Sequence, residues 1–393
     1  MGPGALMGLE ARLRERIHRE GPISFADFQE AALYDPEDGF FTRGGGAGRA
    51  GRDFVTSPEV GSLFGMVIAR ALDEVWHRLD RPDPFVVVEA GAGRGRLGAD
   101  VVRAAPACVE ALRYVLVERS AQLRDEQRER LALEPPDEAL GPFLATEGEA
   151  PEPEPGQGPI VTALDELPAV RVIGVVVANE LLDNLPVHVV ERTVDGWLEA
   201  RVDADRDRFV EALVLASPLL AAEADVVAEG AVVPVGARLP VPVAAREWLE
   251  RVGILLRRGE VVLFDYVDTA SSLAARGQGS WLRTYRSHQR GGAPLDRPGT
   301  QDITCDVPLE YLRRITDRVG LPIAEYVPQR EWMGRHGIAE LVAEGDAQWQ
   351  EGAARGDLAA LAGRSRGVEA AALTDPGGLG AHRVLVLRRE GSG

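Results

Sequence analysis

Phe85-Val86-Val87-Val88-Glu89-Ala90-Gly91-Ala92-Gly93-Arg94-Gly95-Arg96-Leu97 is the stretch on which the fold turns. Prolines at 82 and 84 precede the apolar run and glycines follow it, so the run reads as a buried strand that turns into a helix. Outward from it, Tyr114-Val115-Leu116-Val117-Glu118, 160–164, 172–178, 261–266 and 384–387 read as further strands, with a helical pattern carrying Leu123 and Leu131 after the second. Alternating strands and helices predict an α/β protein with a doubly wound, mostly parallel Rossmann-like sheet.

The rest of the chain decorates that core. Leu6, Leu9, Leu13 and Ile17 recur at helical spacing, Gly21-Pro22 breaks the pattern, and Ser24 with Asp27 opens a second helix. Five glycines within 43–52 predict a loop. Ser57 as cap and Pro58 at the first helical position start a single helix, whose buried face is Val60, Leu63, Phe64, Val67, Ile68, Ala71, Leu72 and Val75. The proline- and acid-rich stretch 134–159 reads as a surface excursion, with a short strand at 143–145. Alternation at 197–202 and 209–214 around a polar 203–208 turn predicts a β-hairpin, followed by a helix over 244–256. These patterns divide the chain into an N-terminal helical extension (1–80), a first part of the core (81–195), a hairpin and helical insertion (196–258) and the remainder of the core (259–393).

Composition narrows the function. With 44 basic residues against 62 acidic ones the net charge is −18, which repels nucleic acid and anionic lipid alike. All 44 basic residues are arginine. Two cysteines, Cys108 and Cys305, cannot build a disulfide framework, and His18, His77, His188, His336 and His382 are scattered without metal-ligand spacing. No metal is expected. The first twenty residues show no export signal and no apolar run is long enough to span a bilayer, so the expected location is cytoplasmic without membrane insertion.

Gly93-Arg94-Gly95-Arg96-Leu97-Gly98 satisfies the dinucleotide pattern G-x-G-x-x-G, and Glu118 stands where a ribose-binding acid belongs. Glu89 discriminates among ligands. A carboxylate at the mouth of the strand repels a pyrophosphate on the same helix N-terminus and welcomes a cationic amino group. S-adenosylmethionine offers ribose, adenine, a sulfonium and an amino acid tail without phosphate, so Glu89 is placed to hold its amino end. Gly91, Ala92, Gly93 and Gly95 let the backbone approach, and Glu118 can accept from the ribose hydroxyls. Arg119 and Leu164, at the ends of the second and third strands, complete this part of the candidate pocket. In doubly wound sheets the first and fourth strands are neighbours at the ligand crevice. That puts Asn179-Glu180-Leu181-Leu182-Asp183 across from the glycines, with Glu180, Asp183 and Asn179 as catalytic candidates and Asn179 also facing the cofactor. A helix cap at Asp183 or Asn184 is the competing structural explanation.

The motifs Gly21-Pro22-Ile23-Ser24-Phe25 with Tyr34-Asp35-Pro36, Asp53-Phe54-Val55-Thr56-Ser57-Pro58-Glu59 with Leu63-Phe64-Gly65, Glu89 to Gly95, Ala178 to Val187, and Leu282-Arg283-Thr284-Tyr285-Arg286 with Pro298-Gly299 and Asp302-Ile303-Thr304 occur in this order. The chain thereby resembles the MidA-like family of class I S-adenosylmethionine-dependent methyltransferases over nearly its whole length. Mitochondrial members of that family act as complex I assembly factors that methylate an arginine. The resemblance implies that Thr56, Ser57 and Pro58 approach the cofactor, that the acceptor is an arginine of a protein or peptide such as a respiratory complex subunit, and that S-adenosylhomocysteine is the product. The chain departs from the family where Cys305-Asp306 stands in place of a histidine, Val267 in place of a glycine and Met66 in place of a glutamate. Such departures bear on the acceptor, which leaves a small molecule or a peptide open. A nicotinamide-dependent oxidoreductase is opposed by Glu89, and a quiet S-adenosylmethionine-binding assembly chaperone has no physical need for Glu89, the glycines and Glu118 together. Arg283, Tyr285, Arg286, His288 and Arg290 read as a loop anchored by ion pairs, and the hairpin leaves room for a homodimer.

Overall fold

In the computed structural model, residues 8–45, 56–141, 155–286, 289–353 and 358–391 are described. The 46–52 part of the glycine loop, Asp53-Phe54-Val55, the 143–145 strand, Leu6 and His288 lie outside them. The chain divides into two compact units, one formed by 56–180, 251–265 and 320–391, the other by 8–45, 181–250 and 266–319. Sequence patterning divides it at 80, 195 and 258 instead.

The first unit is built on a seven-stranded sheet: β1 (Phe85–Ala90), β2 (Leu112–Val117), β3 (Ile160–Leu164), β4 (Val172–Asn179), β5 (Leu256–Asp265), β6 (Ile323–Pro328) and β7 (Arg383–Arg389). Spatial order is β3-β2-β1-β4-β5-β7-β6. The strands β1 to β5 run parallel, and β7 is antiparallel to both neighbours. Every residue of β1 is buried, Phe85 and Val87 facing the main apolar cluster and Val86 and Val88 the other way, as a sheet covered on both faces requires. Phe64, Phe264 and Trp332 pack edge to face in that cluster, with centroids 5.2 and 5.1 Å apart.

The expected single helix after Ser57 is two. A short helix, Ser57–Val60, ends at Gly61, and a second runs over Leu63–Arg78. Thr56 rather than Ser57 is the capping residue, and it makes no side-chain cap bond. The Glu134 to Pro159 stretch is more than an excursion, because it contains the helix Pro136–Leu140 with Ala139 fully buried.

The other unit carries a five-stranded antiparallel sheet of Ile23–Ser24, His188–Arg192, Trp197–Asp205, Arg208–Leu215 and Arg238–Val241. The predicted hairpin is there, with longer strands and a turn of only Arg206 and Asp207 between them. Helix Leu9–Glu20 buries Leu9, Leu13 and Ile17, and the Asp27 amide donates to Ser24 Oγ at 3.0 Å as the capping pattern requires. The expected loop begins instead as a strand, Leu282–Arg286, while Arg283 is anchored by an ion pair as expected: it pairs with Asp306 at 2.6 Å and lies over the Tyr266 ring. Asp306 also holds Arg276, while Cys305 and Val267 are buried, so these departures from the family pattern sit at packing positions within this unit.

Candidate functional site

Pairing of Ala90 with both Val117 and Ala178, and of Val117 with Leu164, brings the carboxyl ends of four strands level. Gly91, Glu118, Leu164, Asn179 and Glu180 therefore share one edge of the sheet, where doubly wound folds bind ligands. The turn after β1 is stitched down by two amides, Gly91 N–H and Ala92 N–H, which donate to the Val117 carbonyl at 2.9 and 3.0 Å. Gly93 has φ +53° and a Cβ on it would meet nothing within 4 Å, so its surface is open to a ligand. Gly98 is needed for the opposite reason. A Cβ there would stand 2.8 Å from the Tyr114 ring, 3.0 Å from Leu116 Cδ2 and 3.2 Å from Glu89 Oε2, so glycine lets the helix Arg96–Arg103 lie on the sheet. We expect Gly98→Ala to cost about 1–3 kcal/mol by overpacking, read as a lower urea midpoint with an unchanged slope.

Glu89 is 5% exposed and accepts from the Tyr114 hydroxyl at 2.8 Å. Desolvation pushes its carboxyl up to about 8, against the pull of the Tyr114 and Gly98 donors and with added repulsion from Glu118 and Asp100. Glu118 is half-buried, and burial raises its carboxyl too, while the Ser120 and Gly93 amides oppose the rise. Those amides donate to Oε1 and Oε2 at 2.9 Å each. A carboxylate has about four lone-pair sites, so Glu118 keeps acceptor capacity for hydroxyl groups.

At the end of β4, Glu180 has φ +52°, a conformation costly for a side chain with a Cβ, and its amide donates to the Phe264 carbonyl at 2.8 Å. Asn179 Nδ2 lies 3.3 Å from Glu180 Oε1, and Asn179 Oδ1 is buried without a hydrogen-bond partner among the described residues. Asp183 is buried in the turn Leu182–Asn184 and belongs to the antiparallel unit. Arg119 is exposed, and its carbonyl accepts from Arg124.

Ser57 differs from expectation. Its side chain is fully buried, and its hydroxyl donates to Gln329 Oε1 at 3.0 Å, so the hydroxyl serves the fold and the backbone of this turn is what remains for a ligand. Gln329 in turn donates to the Leu373 carbonyl, and Glu369 accepts from the Leu63 amide and fills the space at Gly61. Sequence reasoning missed these partners because they lie about 300 positions away. Tyr114 was detectable, since a tyrosine in a fully buried strand needs a partner for its hydroxyl.

The donor set fits S-adenosylmethionine. An ammonium beside Glu89 would favour its ionised form, the open face of Gly93 would admit a ligand against the backbone, Glu118 would accept from ribose hydroxyls, and the two arginines of the turn, Arg94 and Arg96, are held by Glu126 and Glu59 rather than turned to a pyrophosphate. A sheet in this order with this carboxyl edge defines a class I S-adenosylmethionine-dependent methyltransferase. More specifically, the chain belongs to the family described as "Putative S-adenosyl-L-methionine-dependent methyltransferase", whose model matches residues 67–327. The family that the sequence motifs resemble is thus the family found.

Among solved structures, a Burkholderia thailandensis protein bound to S-adenosyl-homocysteine is 29% identical with a TM-score of 0.78, covering 98% of this chain and 92% of that one. Two curated relatives are the mitochondrial protein arginine methyltransferase NDUFAF7 of Mus musculus, 28% identical over 83% of this chain and 73% of its own length, and its Drosophila melanogaster homolog, 27% identical over 79% and 70%. The cofactor is S-adenosylmethionine. The cytoplasmic expectation is overturned: the curated relatives are named as mitochondrial proteins, and neither scarce cysteine nor an unremarkable N-terminus specifies the cytoplasm.

Proposed function

We propose that this methyltransferase modifies an arginine guanidinium nitrogen of a protein or peptide substrate. The observation that carries the reading is the end of β4, where Glu180 is held in a costly left-handed conformation beside a buried Asn179 Oδ1 that has no hydrogen-bond partner among the described residues. A strained carboxylate next to an empty acceptor suits a planar cation with several N–H donors. The names of the curated relatives as protein arginine methyltransferases support the same acceptor.

When bound, S-adenosylmethionine supplies an electrophilic methyl on a sulfonium, transferred by in-line displacement. The chain's part is alignment. Glu89, the Gly91–Gly95 backbone and Glu118 hold the cofactor, with the backbone of Thr56-Ser57-Pro58, Leu164 and Arg119 around it. Glu180 fixes the guanidinium and takes the proton that the nitrogen sheds as it gains the methyl, so that a single positive charge remains on the methylated guanidinium and S-adenosylhomocysteine is left, and Asn179 Oδ1 accepts one of the other N–H groups. The protein acceptor is in keeping with a respiratory-complex subunit as the partner class implied by the family.

The test is incubation of the purified protein with methyl-labelled S-adenosylmethionine and a panel of arginine peptides, each paired with its lysine counterpart. Label recovered as methylarginine is the expected result. Label confined to lysine peptides or to small molecules refutes the arginine reading.

A further inference from the structure

Both polar groups of the Gly93 backbone are gripped. Its N–H donates to Glu118 Oε2 at 2.9 Å, and its carbonyl accepts from Gln127 Nε2 at 2.7 Å. Gln127 ends the helix Ala121–Gln127 and is 0% exposed. Its stem lies under the next glycine, since a Cβ on Gly95 would come within 3.2 Å of Gln127 Cγ. One residue earlier, Glu126 holds Arg94 at 2.7 Å. The helix thus clasps the glycine turn at two successive residues.

The carboxamide of Gln127 is expensive where it stands. Its Oε1 is buried with no hydrogen-bond partner among the described residues. Reversing the amide would set Oε1 against the Gly93 carbonyl, acceptor facing acceptor, so the orientation is settled by that carbonyl. An apolar side chain of equal length would fill the same space without a stranded acceptor. What the glutamine adds is the bond to Gly93. Because the peptide group is planar and trans, directing the Gly93 carbonyl at Gln127 directs the Arg94 N–H the opposite way.

We propose that Gln127 is a positioning residue for S-adenosylmethionine: by anchoring the Gly93 carbonyl it fixes the 93–94 peptide plane that the cofactor meets. This rests on the glycine turn being the cofactor bed. Gln127 touches neither cofactor nor acceptor. It acts through Gly93.

The test uses the full chain and S-adenosylhomocysteine as probe, titrated calorimetrically from pH 6 to 8.5 against wild type, Gln127→Met, Gln127→Glu and Glu118→Ala. Gln127→Met keeps the volume and loses the donor, and we expect its dissociation constant to rise about tenfold, because binding must then also order the 93–94 peptide, a cost of about 1.4 kcal/mol. Gln127→Glu supplies a donor only while protonated. Glu118 and Glu126 nearby hold such a carboxyl up and Arg94 draws it down. Its affinity relative to wild type at the same pH is therefore expected to be near one at pH 6 and to fall as pH rises. A role in filling space alone would leave Gln127→Met at wild-type affinity. Wild-type affinity in Gln127→Met, a flat ratio in Gln127→Glu, or affinity lost only in step with the thermal midpoint overturns the proposal. If Glu118→Ala also binds normally, the cofactor-bed reading itself has failed, whereas a loss in Glu118→Ala alone rejects Gln127 and leaves the bed in place.

Discussion

Glu89→Gln will bind S-adenosylmethionine about a hundredfold more weakly than wild type at pH 8 and will nevertheless be the more stable protein there. Both halves follow from burial. The Glu89 carboxyl is pushed up to about 8 in the folded protein, against an ordinary value of 4.5. Between those values the folded chain binds a proton that the unfolded chain releases, so stability falls as pH rises from 4.5 to 8 and stays low above it. At about 1.4 kcal/mol per unit the ceiling on this cost is about 5 kcal/mol. Glutamine keeps a partner for the Tyr114 hydroxyl and removes the titration, so the pH dependence over this window should flatten and the midpoint at pH 8 should rise.

The binding half has the opposite sign. A ligand ammonium beside the buried carboxylate repays the desolvation that the free protein bears, and removing one member of such a pair costs about 3 kcal/mol. Below pH 8 wild type must first surrender its proton, so its affinity should climb with pH on the acid side, with proton release detectable as a buffer-dependent heat. The ligand's own amino group, titrating near 8, sets the alkaline limb in both proteins. Glu89→Gln should lack the acid limb. Equal affinity of the two proteins at pH 8, or a wild-type curve without an acid limb, would remove Glu89 from the cofactor's amino end.

The parts of this site that could be read from sequence are those that depend on neighbours along the chain. An apolar run, a glycine turn and an acid at the next strand end are local patterns, and the doubly wound rule then places β1 beside β4. The position of β7 was harder, because Val384-Leu385-Val386-Leu387 reads the same whether a strand runs parallel or antiparallel. Pairing direction is set by the route of the chain and leaves no mark on so short a run. The break at Gly61 was missed because the apolar spacing continues across it. What interrupts the helix is the Glu369 carboxylate packed against Gly61, a tertiary contact with no local signal. The same holds for Ser57, a good capping residue by type whose hydroxyl is taken by Gln329. Division into two units was illegible for a related reason: the chain leaves the sheet unit after Glu180 and again after Asp265, both at the ends of central strands, where composition does not change.

Glu180 is where local cost and function meet most directly, and its substitution yields the sharpest separation of the two. A left-handed conformation costs a residue with a Cβ about 1 kcal/mol, a cost glycine does not bear. If Glu180 serves only the fold, Glu180→Gly should be neutral or destabilising, since it removes a side chain beside Asn179 and loosens the unfolded chain. If the strain is tolerated because the carboxylate is needed at the strand end, Glu180→Gly should raise stability by a few tenths to about 1 kcal/mol while methyl transfer is lost. Glu180→Gln completes the comparison. It keeps the shape and the strain, removes the charge, and should bind S-adenosylhomocysteine within about twofold of wild type while turning over about 100 to 1000 times more slowly, the scale seen when one charge-stabilising group is removed from a transition state. Turnover of Glu180→Gln at the wild-type rate would show that the carboxylate does not act on the acceptor. A cofactor affinity that fell with turnover would move Glu180 from the acceptor side of the site to the cofactor side.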